Sequence, residues 1–239
     1  MLYKKSLLLI FFCFLFTACQ NSKCLKSIGE LQKVHKELTT FKSIKVEDNI
    51  SLILTEGEEV YLEAGENLIP YINFEVVDSS LVISNKNSCD WLRSYDVPVK
   101  VYAGSKNLSY IAWRSYGKLS TEQNVSINTL QIDIFDVIAS VDIDINSNYL
   151  LLFTNSGTSI NLKGKTNWLS IFTMGYGKID AKNLSAKEAT IKHQGQNDIE
   201  TTTEQKLSVD IESSGNLIYF GKPQELVIRI IGSGTVIAK

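Results

Sequence analysis

Asp142 and Asp144, two apart across Ile143, are the strongest candidates for chemistry in this chain. Alternate side chains of an extended segment project from one side, so both carboxylates would share a face, with Asp133 on the preceding strand and Asp136 at its corner. Such a cluster could hold a hard cation such as calcium, and a neighbouring basic group could then take a proton from a bound substrate. No Arg or Lys cluster accompanies these acids in the sequence, so they read as a solvated outer face. His193 offers a base or a metal ligand, but the other histidine, His35, is far away in the chain and no zinc spacing joins either one to cysteine. It therefore reads as a hydrogen-bonded structural residue. Neither a serine on a strained elbow nor a phosphate-cradling glycine loop is present. No catalytic residue, metal site or cofactor is expected.

Aromatic residues offer a different chemistry. Trp91, Tyr95, Tyr102, Tyr110, Trp113 and Tyr116 stand close together, with Arg93 and Arg114 among them. Ring faces and guanidinium forks could grip a glycan or a protein partner. Strands also favour Tyr and Trp for packing alone. Trp113 falls at an inward position, which leaves Trp91, Arg93, Tyr95 and Tyr116 as the candidate binding patch.

The N-terminus is an address. Met1 to Lys5 carry two positive charges, and Ser6 to Ala18 form an uncharged run rich in Leu, Phe and Ile, shorter than the roughly 20 apolar residues of a membrane span. The run ends at Leu15-Phe16-Thr17-Ala18-Cys19, which resembles a bacterial lipobox with Phe16 in place of the usual Leu. Residues 1–18 are accordingly expected to be a lipoprotein signal peptide, with Cys19 the lipidated first residue of the mature chain. The expected location is the cell envelope, lipid-anchored to the outer membrane. Cys24 and Cys89 then remain in an oxidising compartment, either as a disulfide or as two unrelated thiols. Removing residues 1–18 leaves 22 basic against 26 acidic side chains, a charge that excludes a nucleic-acid partner.

These features need a scaffold. Residues 19–40 are polar, with a weak helical pattern at Leu31, Val34 and Leu38, and read as a tether. Alternation then predicts strands at Ile44–Val46, Ile50–Leu54 and Val60–Ala64, the last two as a hairpin about Glu56-Gly57-Glu58. A helical turn is expected over Asn67–Ile72, broken by Pro70. Strands are expected again at Phe74–Val77, Leu81–Ser84 and Val97–Tyr102.

The second half repeats with a period near 20, anchored at Gly117, Ile138, Gly157, Gly177, Gly195, Gly215 and Gly234. Six residues before each anchor stand Ile111, Ile132, Leu151, Ile171, Ala189, Val209 and Ile228. Four before stand Trp113, Ile134, Phe153, Thr173, Ile191, Ile211 and Ile230, and these two columns are expected to face the core. Two before stand Ser115, Asp136, Asn155, Gly175, His193, Ser213 and Gly232, a small or polar ladder at the corner. A strand that cannot bury its apolar side alone stacks on its neighbours, so each repeat is read as one rung of an all-β solenoid occupying residues 41–239. The glycines would then serve corners that demand positive φ or a close backbone approach. At Ile138 a different corner is expected.

Several segments carry a resemblance to a known family. Phe41-Lys42-Ser43-Ile44-Lys45-Val46, Glu66–Ile69 with Leu81-Val82-Ile83, the corners Gly175-Tyr176-Gly177 and Gly232-Ser233-Gly234, and Tyr219-Phe220-Gly221-Lys222-Pro223 resemble the autotransporter adhesin head GIN domain, common in lipoproteins of Bacteroidetes-like bacteria. The resemblance implies a right-handed β-helix-like solenoid, in one part or two stacked parts, on a surface or periplasmic lipoprotein, and no established activity. The function expected is a non-enzymatic binding, adhesion or spacing module with a glycan or protein ligand. The alternatives are a lyase-like carbohydrate-active enzyme on a β-helix scaffold and a structural component of an envelope complex.

Overall fold

Alternating apolar and polar residues make strands that bury one side only, so each needs neighbours at its edges and a second sheet opposite. In the computed structural model, which describes residues 27–87 and 99–239, they build a β-solenoid of about six coils. Cys19, Cys24, Cys89, Trp91, Arg93 and Tyr95 lie outside the described residues.

The N-terminal half contributes β1 (Leu31–His35), β2 (Ser43–Asp48), β3 (Ile50–Thr55), β4 (Val60–Gly65), β5 (Ile72–Val77), β6 (Ser80–Asn85) and β7 (Val99–Gly104). The C-terminal half contributes β8 (Tyr110–Ser115), β9 (Lys118–Thr121), β10 (Val125–Ile134), β11 (Ser140–Thr154), β12 (Ser159–Thr173), β13 (Ile179–His193), β14 (Ile199–Ile211), β15 (Leu217–Phe220), β16 (Glu225–Ile230) and β17 (Val236–Ala238). Two sheets face each other. The front one stacks β6, β2, β8, the ends of β10 to β14, and β16 in parallel. The back one stacks β7, β3, β9, the beginnings of β11 to β14, β15 and β17.

Like residues meet along the stack. Leu81, Ile44, Ile111, Ile132, Leu152, Ile171, Ile191, Val209 and Ile228 form one unbroken inward column of the front sheet. In the back sheet Leu52, Leu119, Val141, Ile160, Ile179, Ile199, Leu217 and Val236 do the same. All but the last-coil members of these columns are buried, each contributing about 1.5–3 kcal/mol of burial free energy.

The expected columns slip at two of the coils. Leu151 faces outward while its neighbour Leu152 is buried, and Ala189 belongs to a parallel inward column with Leu169 and Leu207. The next column correspondingly runs Trp113, Ile134, Thr154, Thr173, His193, Ile211 and Ile230, so Phe153 points out of the core. Two residues on stand Ser115, Asp136, Ser156, Gly175, Gly195, Ser213 and Gly232. The true corner column is then Gly117, Ile138, Thr158, Gly177, Asn197, Gly215 and Gly234, with Gly157 and Gly195 outside it.

Of the two reasons offered for the glycines, close approach is the operative one. None of the anchor glycines has positive φ. A Cβ at Gly177 would fall on the carbonyl oxygen of Thr158 one coil earlier, far inside van der Waals contact. Positive φ is needed elsewhere, at Gly164, where the long strand β12 bends from the back sheet to the front. At the corner before Ile138, Asp136 takes the left-handed conformation and Ile138 is exposed, which is the different corner expected there.

The N-terminal coils are not stacked in chain order. β2 lies between β6 and β8, and β3 between β7 and β9. The hairpin expected from Ile50–Leu54 and Val60–Ala64 is absent, because β7 inserts between β3 and β4. Antiparallel strands close this end: β5 on β6, β4 on β7, and β1 on β4. The helical pattern at Leu31, Val34 and Leu38 gives a strand instead, since a short isolated helix is marginal whereas β1 gains a full ladder to β4. The helical turn at Pro70 is present as a 3-10 turn over Ile69–Tyr71.

Candidate functional site: an outward aromatic face

The outward side of the front sheet carries the rings. Phe135 follows β10, Phe153 lies on β11 and Phe172 on β12, and stacking of successive coils puts them in a row with centroids 5.5 and 5.3 Å apart. A cation closes each end: the Arg114 guanidinium lies 4.5 Å from the Phe135 ring centroid and the Lys192 ammonium 5.3 Å from that of Phe172. Beside this row Tyr149 and Trp168 form a second pair at 6.4 Å, both more than two-fifths exposed, and Leu151 lies half-buried between the two. Met174 and Tyr176 extend the face to the corner, where the Tyr176 ring lies over Gly157. That cover is the reason for glycine at 157.

Polar groups frame the rings. Asp133 accepts hydrogen bonds from the Tyr110 hydroxyl at 2.9 Å and from the Gln131 amide at 2.9 Å. Burial, reinforced by that bond to Asp133, pushes the Tyr110 phenol up to about 12, so it stays a neutral donor. Arg114 also pairs with Asp136 at 3.7 Å.

Of the aromatic patch expected from sequence, only Tyr116 lies within the described residues, and it is exposed at a corner. Trp113 is fully buried, as its inward position implied. Tyr102 belongs to the back sheet, where it donates to Glu63 at 3.1 Å beneath the Lys33 ammonium. The outward rings, half-buried at Phe153 and Phe172 and exposed at Tyr149 and Trp168, were readable from their shared spacing of one repeat, but the slipped column had placed Phe153 in the core.

The acids do not converge. Asp133 lies on the front sheet, whereas Asp142 and Asp144 project from the back one. The expectation that no Arg or Lys cluster accompanies them needs correction at one acid: Asp142 stands between Lys118 at 3.6 Å and Lys163 at 3.3 Å. Asp144 is occupied by hydrogen bonds with the Asn124 amide and the Thr121 hydroxyl region, the latter accepting from the Asp144 N–H at 3.0 Å. Among the described residues no group of three His, Cys, Asp or Glu side chains could hold a metal ion.

His193 is wholly buried in the inward column, between Thr173 and Ile211. The Gly195 N–H donates to its Nδ1 at 3.2 Å, which leaves Nε2–H to donate to the Asn197 carbonyl at 2.7 Å. The same service is performed one coil earlier by Thr173, whose hydroxyl accepts from the Gly175 N–H at 3.1 Å, and before that by Thr154 for Ser156 at 3.2 Å. Polar residues thus enter an apolar column because each satisfies a corner amide.

Comparison with known proteins agrees with this architecture. A "putative adhesin" of Bacteroides fragilis superposes with a TM-score of 0.80 at 20% identity, over 88% of this chain and 97% of that one. A "putative lipid binding protein" of Parabacteroides distasonis gives 0.65 at 18% identity, over 88% and 97%. A "putative adhesin" of Parabacteroides merdae gives 0.59 at 21% identity, over 90% and 98%. At these identities the likeness is one of fold. No curated protein matches the chain. Residues 40–223 match the family described as "Putative auto-transporter adhesin, head GIN domain", and the chain belongs to that family.

Proposed function

We propose that this protein is a non-enzymatic binding and adhesion module of the cell envelope, held to the outer membrane by lipid on Cys19, with the aromatic face of the front sheet as its contact surface. The observation that carries the reading is the row Arg114, Phe135, Phe153, Phe172 and Lys192, one residue from each of five consecutive coils. Solitary exposed apolar residues are ordinary, but a contiguous aromatic patch rimmed by charges is the composition of a recognition surface. The rings repeat at the coil spacing, and an open, shallow face of this kind suits an extended ligand such as a glycan chain. The adhesin names of the similar structures support the same reading.

Glycan-array binding of the mature protein tests it. A Phe153→Ala, Phe172→Ala double variant is expected to lose at least tenfold in affinity, about 1.4 kcal/mol, while Lys118→Ala on the back sheet leaves binding unchanged. Equal binding by the double variant, or none by the unsubstituted protein, would remove the glycan reading. The anchor has its own check: mass analysis of the native N-terminus should show a diacylglyceryl-modified Cys19, and an unmodified thiol there would refute lipidation.

A further inference from the structure

The two ends of the stack differ. At the N-terminal end Leu81, Ile83 and Val101 are fully buried beneath the antiparallel strands. At the other end the inward side chains of β16 are open: Leu226 is 41% exposed, Ile228 43% and Ile230 44%, although Leu207, Val209 and Ile211 one coil earlier are at most 2% exposed. Among the described residues β16 pairs only with β14, leaving an edge open there over an apolar patch on the order of a few hundred Å².

We propose that this edge pairs with the same edge of a second copy, forming a two-fold dimer through antiparallel β16 strands centred on Val227. Charge selects this register. In Glu225-Leu226-Val227-Ile228-Arg229, self-pairing about Val227 sets Glu225 opposite Arg229 of the second copy, twice. Within one chain Glu225 already pairs with Lys206 at 2.7 Å, and Arg229 with Asp210. The dimer therefore extends two columns of alternating sign, Lys206–Glu225–Arg229 and Asp210–Arg229–Glu225, across the interface. Shifting the register by two residues loses both pairs and leaves each strand end unmatched.

The main chain agrees. The Ile231 N–H donates to the Ile211 carbonyl at 2.8 Å, so the alternate residues Leu226, Ile228 and Ile230 direct their N–H and C=O groups to the free edge. Leu226 of one copy and Ile228 of the other then form a hydrogen-bonded pair, while their side chains continue the two inward columns. The two Val227 residues meet as a non-hydrogen-bonded pair on the axis. A two-fold pairing of like edges uses the β16 edge of each copy once, so association through it stops at two. The patch is smaller than the about 800 Å² per partner of a standard interface, so a Kd on the order of micromolar is expected.

Sedimentation of the purified full chain should show a concentration-dependent doubling of mass, and Val227→Lys, which sets two like charges against each other at an exposed position, should weaken it at least tenfold. Directly opposed residues of a non-hydrogen-bonded pair have Cα atoms about 4.5 Å apart, within disulfide range. Val227→Cys should therefore cross-link on oxidation above the background of the unsubstituted chain, and Arg229→Cys, displaced along the edge from its own copy, should not. A monomer at every concentration would overturn the proposal. So would a dimer in which Val227→Cys fails to cross-link or Arg229→Cys cross-links equally.

Discussion

Gly177→Ala should cost about 3 kcal/mol of stability and lower the melting temperature by roughly 6–12 °C, whereas Gly157→Ala should cost less than about 1 kcal/mol. Both glycines come from the same repeat pattern and neither has positive φ, so a purely conformational account predicts equal, small effects. They differ in what a methyl group would meet. At Gly177 it meets the main-chain oxygen of Thr158, in a corner tied to the previous coil by the Thr158 hydroxyl, which donates to the Val137 carbonyl at 3.2 Å and accepts from the Ala139 N–H at 3.3 Å, so it can move only if two coils separate. At Gly157 it meets the Tyr176 ring, the exposed end of a side chain that can swing into solvent. Calorimetric scans of the two variants decide the matter, and coincident melting curves would sink the close-packing explanation. Swinging Tyr176 away should also alter the edge of the aromatic face, giving Gly157→Ala a binding effect larger than its stability effect.

The second large effect is expected at His193. Replacement by leucine leaves the Gly195 N–H and the Asn197 carbonyl unpartnered inside the solenoid, at about 1–3 kcal/mol for each buried group. His193→Thr should be milder, because a hydroxyl can accept from residue 195 as Thr173 does from Gly175. The histidine also makes stability depend on pH. Its Nδ1 must stay unprotonated to accept from Gly195, and burial pushes its pKa below the ordinary value of 6.5. The unfolded chain therefore binds the proton first as pH falls. Its stabilising contribution is complete above about 6.5 and is lost progressively below that value toward the folded-state pKa. Thermal melting followed from about pH 7.5 to about pH 5 should show this acid loss in the native protein and its absence in His193→Leu. Identical pH profiles for the two would rule the assignment out.

The solenoid was legible because its demands are periodic. An inward apolar residue every coil left columns at Ile111, Ile132, Ile171, Val209 and Ile228 that survive in the structure. The register slipped where glycine was treated as the mark of a corner. A corner needs a residue that lets the next coil approach, and Thr158 and Asn197 meet that need with polar side chains among the glycines. Correcting the slip moves Phe153 outward, and the aromatic face becomes visible only then. The order of the N-terminal coils was not legible, because nothing local to β2 distinguishes β6 or β8 as its partner from β3. The acids at Asp142 and Asp144 share a side as their spacing requires, but spacing within one strand says nothing of Asp133 on the opposite sheet.

The interleaving of β2 and β3 among later strands bears on how the chain reaches its native state. Contacts in the C-terminal coils join residues close in sequence, as in the 19 positions between Asp136 and Asn155. In the N-terminal half Ser43 reaches Ser79 across 36 positions, and the Ile50 N–H reaches the Ser115 hydroxyl across 65. Loop closure of the second kind is slower, and it cannot begin until the distant partners have been made. The C-terminal coils can zip one upon another, but the slot for β2 and β3 exists only once both β6–β7 and β8–β9 are at hand. The segment synthesised early is thus among the last to settle, and during that interval its alternating apolar strands are unpaired and open to capture by other chains.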